Sequence, residues 1–105
     1  MTKYENLLAQ LNESGSGIMK CFGNSMLPIL SNPSTNTYRR EKEYRVGDIV
    51  FCKVRGRFVD AHLVIAKDGD RYLIANNHGH QNGWTRAVFG RVVSSTDSSG
   101  KVRHF

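Results

Sequence analysis

Ser25 stands in the run Gly23-Asn24-Ser25-Met26-Leu27-Pro28-Ile29-Leu30. Gly and Asn before it and Pro after it are turn formers, so the backbone is held tightly and one side chain is pushed out for use. A serine hydroxyl becomes a useful nucleophile when a neighbouring base takes its proton. His62 lies in the apolar, strand-like run Phe58-Val59-Asp60-Ala61-His62-Leu63-Val64 and is the residue type for that task. An unperturbed imidazole titrates near pH 6.5, so it is largely neutral at pH 7, whereas a lysine base must first be driven down. Asp60 and His62 fall on one face of a strand if the two-residue period holds, which makes Asp60 the first acid expected to orient the base. His78 and His80 stand two apart and with His62 raise a zinc site, but no Cys or carboxylate keeps a matching short spacing. No metal and no cofactor are expected.

The positioning elements are legible around these residues. Tyr4, Leu7, Leu8 and Leu11 repeat at helical spacing, and Thr2 with Glu5 forms a capping box, so residues 2–12 read as an amphipathic helix. Glu13-Ser14-Gly15-Ser16-Gly17 breaks it. The chain then reads as β. Strands are expected at Ile18–Phe22, Ile49–Val54, Phe58–Ala66, Arg71–Ala75 and Ala87–Val93, with a short extended piece at Pro28–Leu30. Gly56 and Asp68-Gly69 mark hairpin turns. Ser31–Asn36 and Asn76–Thr85 read as polar loops, Trp84 anchoring the second, and the Ser-rich stretch from Ser94 has little reason to fold. The expected organisation is a helix over 1–14, a β domain over 15–93 and a flexible or loosely packed tail over 94–105. The fold class is mainly β: a small curled antiparallel sheet or partial barrel with one short N-terminal helix.

Composition limits the partners. A chain of 105 residues makes one small domain, and its 39% apolar content suits a single core. No apolar run approaches the roughly 20 residues that cross a bilayer. The N-terminus has no apolar core of a signal peptide. Two cysteines, Cys21 and Cys52, sit in apolar runs and read as buried free thiols, so the cytoplasm is the expected compartment. The net charge is +6, concentrated at residues 38–42, 53–57 and 101–104, and it favours an acidic partner such as nucleic acid.

The order of motifs adds a family. Gly23-Asn24-Ser25-Met26-Leu27-Pro28, then Gly47-Asp48-Ile49-Val50, then a basic residue on a hairpin strand, a Gly-centred loop, and Phe89-Gly90-Arg91-Val92-Val93 resembles the serine-peptidase superfamily of LexA-type self-cleaving repressors and signal peptidases. The match runs over roughly residues 18–93. The resemblance implies a LexA C-terminal or signal-peptidase type sheet. It places Ser25 as nucleophile and His62, in place of the usual Lys, as base. Asn24, Ser25 and Met26 fall on the oxyanion turn, and Gly23, Pro28, Gly47 and Asp48 on structural turns. His80 falls where histidine-type members carry an acid. An extended peptide or protein is the implied substrate, and pairing through a sheet edge into a homodimer is compatible with such a fold. The chain shows neither the DNA-binding domain of a repressor nor the membrane anchor of a signal peptidase, and so resembles a stand-alone phage or prophage accessory protein. The alternative is a catalytically inactive binding module on the same scaffold, contacting a host protein or nucleic acid through basic clusters and a sheet edge.

Overall fold

Thr2 begins the helix as expected. Its hydroxyl accepts from the Glu5 N–H at 3.2 Å, while the Glu5 carboxylate accepts from the Thr2 N–H at 3.0 Å. The computed structural model describes residues 1–105, and the helix, α1, runs over Lys3–Ser14 until Gly15 closes it at φ 78. That left-handed conformation costs glycine nothing. Leu7 and Leu11 are fully buried and seat α1 on the sheet. The helix can approach closely because position 17 is Gly: a Cβ there would lie 2.7 Å from a Leu7 methyl.

Eight strands follow: β1 (Ser16–Cys21), β2 (Ser34–Arg39), β3 (Ile49–Val54), β4 (Arg57–Asp68), β5 (Arg71–Ala75), β6 (Gln81–Thr85), β7 (Val88–Asp97) and β8 (Val102–His104). They form one antiparallel sheet in the order β1-β2-β7-β3-β4-β5-β6, with β8 paired to β7. The fold is mainly β with one short helix, and the sheet curls into a half-barrel. One core cluster, around Phe51 with Leu7, Leu11, Tyr38, Met26 and Leu30, lies beneath α1. Phe51 stacks on Phe58 at 5.6 Å and packs against Phe89 at 5.3 Å and Tyr38 at 6.1 Å between centroids. A second cluster, around Val50, Val64, Tyr72 and Ile74, occupies the other face.

Three expectations are corrected. Pro28–Leu30 is not extended but lies in a tight turn, closed by Leu27 N–H to Asn24 O at 3.2 Å and Leu30 N–H to Met26 O at 3.0 Å. The two polar stretches contain strands. β2 turns Ser34, Asn36 and Tyr38 inward, where Asn36 accepts a 2.6 Å hydrogen bond from the Ser95 hydroxyl, so polarity hides a central strand. β6 continues the sheet beyond β5. The tail is folded too. β7 runs on to Asp97, whose carboxylate accepts from the Ser99 and Lys101 N–H groups and turns the chain into β8. No helix is long and apolar enough to cross a membrane.

Phe51 carries the larger cluster, so Phe51→Ala is expected to lower unfolding stability by about 3–5 kcal/mol. Urea denaturation followed by circular dichroism reads that difference, and a loss under about 1 kcal/mol would contradict this placement of the core.

Candidate active site

Met26 and Leu30 are buried in the core and draw the turn down, while Ser25, just ahead of Met26, stays half-exposed. Gly23 enters the turn at φ 114, a conformation that side chains resist. Side chains from remote segments then fix the turn. The Asn32 carboxamide accepts from the Gly23 N–H at 3.0 Å and donates to the Asn24 Oδ1 at 2.8 Å. Asn77 donates its backbone N–H to the Ser25 carbonyl and its side-chain Nδ2 to the Leu27 carbonyl, both at 2.9 Å. The His78 ring donates to the Asn24 carbonyl at 3.0 Å. Arg103 of β8 donates to the Pro28 and Ile29 carbonyls at 3.0 and 2.9 Å. The folded tail thus serves the site directly.

β4 supplies the histidine. Its His62 stands opposite Val50 of β3, and the Gly47-Asp48 turn ahead of β3 fixes that register. Gly47 N–H donates to the Val64 carbonyl at 2.8 Å, Val64 N–H to the Asp48 carbonyl at 2.9 Å, and the Asp48 carboxylate accepts from the Arg45 N–H at 2.9 Å. Gly47 adopts φ 99, which explains its residue type.

The structure brings Ser25 and His62 together, with Ser25 Oγ 3.1 Å from His62 Nε2. On the far side of the ring, His62 Nδ1 lies 2.7 Å from Asn82 Oδ1. An amide oxygen only accepts, so Nδ1 carries the proton and Nε2 presents its lone pair to the serine hydroxyl. Asn82 reaches the ring through a bulge. β5 and β6 pair Ile74 with Gly83 and Ala75 with Gln81, leaving Asn82 as the extra residue, and a bulge of this kind re-aims one side chain.

The residue hydrogen-bonded to His62 Nδ1 is therefore Asn82, and neither Asp60 nor His80 hydrogen-bonds the ring. Pairing of β3 with β4 shifts between Val50 opposite His62 and Cys52 opposite Val59, so β4 carries an extra residue there. That residue breaks the two-residue period on which a shared face for Asp60 and His62 depends. The Asp60 carbonyl accepts from the Tyr38 hydroxyl at 2.8 Å, and its carboxylate faces Lys3 at 3.6 Å. His80 is exposed and is held by its backbone, which donates to Asn76 Oδ1 at 3.0 Å. His62, His78 and His80 do not gather as a metal site; no cluster of three or more His, Cys, Asp or Glu does.

A cleft of about 330 Å³ opens over the serine. Ser25, His62 and Asn82 line it beside Tyr4, Phe22, Phe58 and Ala61. The backbone N–H groups of Ser25 and Met26 enter no intramolecular hydrogen bond and remain available to an anionic oxygen. The Asn24 side chain is engaged with Asn32, so its part is to shape the turn. Elsewhere Arg39 and Arg91 share Glu41, Arg71 meets Asp68, Arg86 meets Asp70 and Lys67 meets Glu43. Arg55 and Arg57 at the β3–β4 hairpin meet no acidic side chain within ion-pair distance. Trp84 is not a buried anchor; it stays partly exposed under the Arg71 guanidinium.

Burial holds His62 below the ordinary histidine value; the Asn82 hydrogen bond and the Asp60 charge oppose that shift, and His80 adds to it. An unfolded histidine titrates near 6.5, so below that pH the unfolded chain takes up the proton first. This contribution to stability is intact above about pH 6.5 and declines as pH falls, until the folded ring is itself protonated. Titration by NMR is expected to give His62 a midpoint below that of free histidine. Asn82→Asp sets a full charge against Nδ1 and is expected to raise it. A wild-type midpoint at or above the free value would contradict the dry setting of the ring.

A scan against protein-family models finds no match to the chain, and a search of curated proteins finds none either.

Proposed function

We propose that the protein is a serine peptidase-like hydrolase acting on an extended peptide, related to the LexA and signal-peptidase superfamily but with His62 as base. The observation that carries this is the line of contacts from Ser25 Oγ to His62 Nε2 at 3.1 Å and from His62 Nδ1 to Asn82 Oδ1 at 2.7 Å. Nucleophile, base and orienter in that order is the template of acyl transfer, and a Ser-His-Asn set parallels the Cys-His-Asn set of other peptidases.

The chemistry balances within these residues. Ser25 Oγ attacks the substrate carbonyl carbon as its proton passes to His62 Nε2. The negative charge on the carbonyl oxygen is met by the free N–H groups of Ser25 and Met26. Collapse breaks the C–N bond, and the imidazolium returns its proton to the leaving amine. Water, deprotonated by the same nitrogen, then hydrolyses the acyl-serine. An extended peptide suits the cleft because β1 and β4 both lead into it, side by side with a strand-like ligand. Cys21 and Cys52 are unpaired and buried, and burial raises both thiols, Cys52 to about 12. Such thiols are poor competing nucleophiles, and free cysteines fit a cytoplasmic setting.

The unpaired Arg55 and Arg57 favour one competing role, a catalytically silent module that binds an acidic partner. One experiment separates the two. A fluorophosphonate probe is expected to label wild-type protein at Ser25, located by mass spectrometry, and to leave Ser25→Ala and His62→Ala unlabelled. Asn82→Ala is expected to slow labelling by roughly 10- to 100-fold through misplacement of the base, with Asn82→Asp restoring it. Folded wild-type protein that takes no label would sink the hydrolase proposal.

A further inference from the structure

Lys3 heads α1, and its part-exposed ammonium has four near partners. Nζ donates to the Lys20 carbonyl of β1 at 3.0 Å and lies 3.6 Å from the Asp60 carboxylate of β4. It also lies 5.3 Å from the Tyr4 ring centroid and 5.4 Å from that of Phe22. A carbonyl, a carboxylate and two aromatic faces are the partners by which proteins recognise an alkylammonium or guanidinium. Three of the four residues that supply them, Tyr4, Phe22 and Asp60, line the same cleft as Ser25 and His62.

The arrangement spans the cleft, since Lys20 lies on β1 just ahead of the serine turn and Asp60 lies two residues before the base. The Asp60 side chain is only 24% exposed, so its charge acts under partial desolvation. Burial first, and next the Asp60 carboxylate, push the Tyr4 hydroxyl up to about 12, so this ring stays neutral and its face remains available to a cation. Lys3 itself is loosely held. Its side chain keeps 40% exposure, and ion pairs that open to water are weak.

We propose that this is a cation subsite of the cleft, made to take a Lys or Arg side chain of a bound peptide and occupied in cis by Lys3. It rests on the cleft being a peptide site. A basic side chain carried by an extended peptide arrives tethered by the rest of its strand, so it competes with Lys3 at high local concentration. Lys3 then acts as an internal competitor that a peptide without a basic residue does not displace. Asp60, two residues from the base but not hydrogen-bonded to it, becomes a specificity determinant.

The test uses the full chain with Ser25→Ala, so that bound peptide is not consumed. Fluorescein-labelled Ala/Ser peptides carry a single Lys at successive positions, each matched by a norleucine peptide, and anisotropy gives Kd. At one position Lys is expected to bind about three- to tenfold tighter than norleucine, the range for one partly desolvated charge pair. Lys3→Met, which keeps the Thr2 cap and the side-chain length, is expected to widen that ratio, and Asp60→Asn to bring it to one. No preference for Lys at any position, with Lys3 retained or with Lys3→Met, overturns the proposal. So does a preference that survives Asp60→Asn. Fluorophosphonate labelling of the wild-type chain runs alongside. Labelling without a Lys preference removes the subsite and leaves the hydrolase. A Lys preference without labelling keeps the subsite and removes the hydrolase.

Discussion

A neutral imidazole has one nitrogen that donates and one that accepts, and the acceptor on Nδ1 decides which is which. That single constraint organises this molecule. Asn82 Oδ1 on Nδ1 leaves Nε2 free to accept, and Ser25 Oγ is placed to use it. The two contacts come from opposite ends of the sheet order. Ser25 follows β1 at one edge, while Asn82 lies in β6 at the other. Only a curled sheet brings both to a histidine on β4, so the half-barrel is the geometric condition for the site.

The turn that carries Ser25 is held mainly from outside. Carbonyl oxygens at Asn24, Ser25, Leu27, Pro28 and Ile29 each accept from a donor in the 77–78 segment or from Arg103. A net contribution near 1 kcal/mol per hydrogen bond is modest singly. Their number matters more, because each fixes a different peptide plane and together they leave Ser25 few alternative positions. The same 76–80 segment leads into β6, so the chain that clamps the serine also delivers Asn82. Ser25 and Asn82 are thus positioned by one continuous stretch, and movement of that stretch disturbs both.

What is legible in the sequence follows from where signal is local. The helix is readable because capping and apolar period both lie within a few residues, in Thr2, Glu5, Leu7 and Leu11. β3 and β4 are readable because their β-branched and aromatic runs face two core clusters. Ser25 and His62 stand out by residue type, and the expected fold class matches the sheet observed. β2 is hidden because its inward positions include Ser34 and Asn36, and the partner that satisfies Asn36 is Ser95 on another strand, a pairing with no local sign. Asn82 is hidden twice. It sits in a polar run, Gln81-Asn82-Gly83, that reads as loop, and it points at His62 only because a bulge leaves it unpaired. The available hint is Gly83, at φ 128, beside a carboxamide that can accept. Strand alternation overrates Asp60 because the period does not survive the residue where the pairing shifts.

Asn82 has a chemical consequence for the proposed reaction. In the Ser-His-Asp template the carboxylate both orients the ring and stabilises the imidazolium. A carboxamide does the first and supplies only a dipole for the second. Half-buried and without a hydrogen-bonded anion, His62 is held low, as its surroundings dictate. The remaining negative charge comes from Asp60, which acts on the ring through space and not through contact. The two tasks of one carboxylate are thereby divided between a bulged Asn and an Asp across another bulge. In the proposed subsite Lys3 stands against that same Asp60 and damps its field. A peptide cation that replaces Lys3 preserves the local charge, whereas departure of Lys3 with nothing in its place leaves Asp60 free to favour the imidazolium. In the proposed reaction the base is in this way coupled to the proposed cation subsite, through a single carboxylate that does not hydrogen-bond the ring.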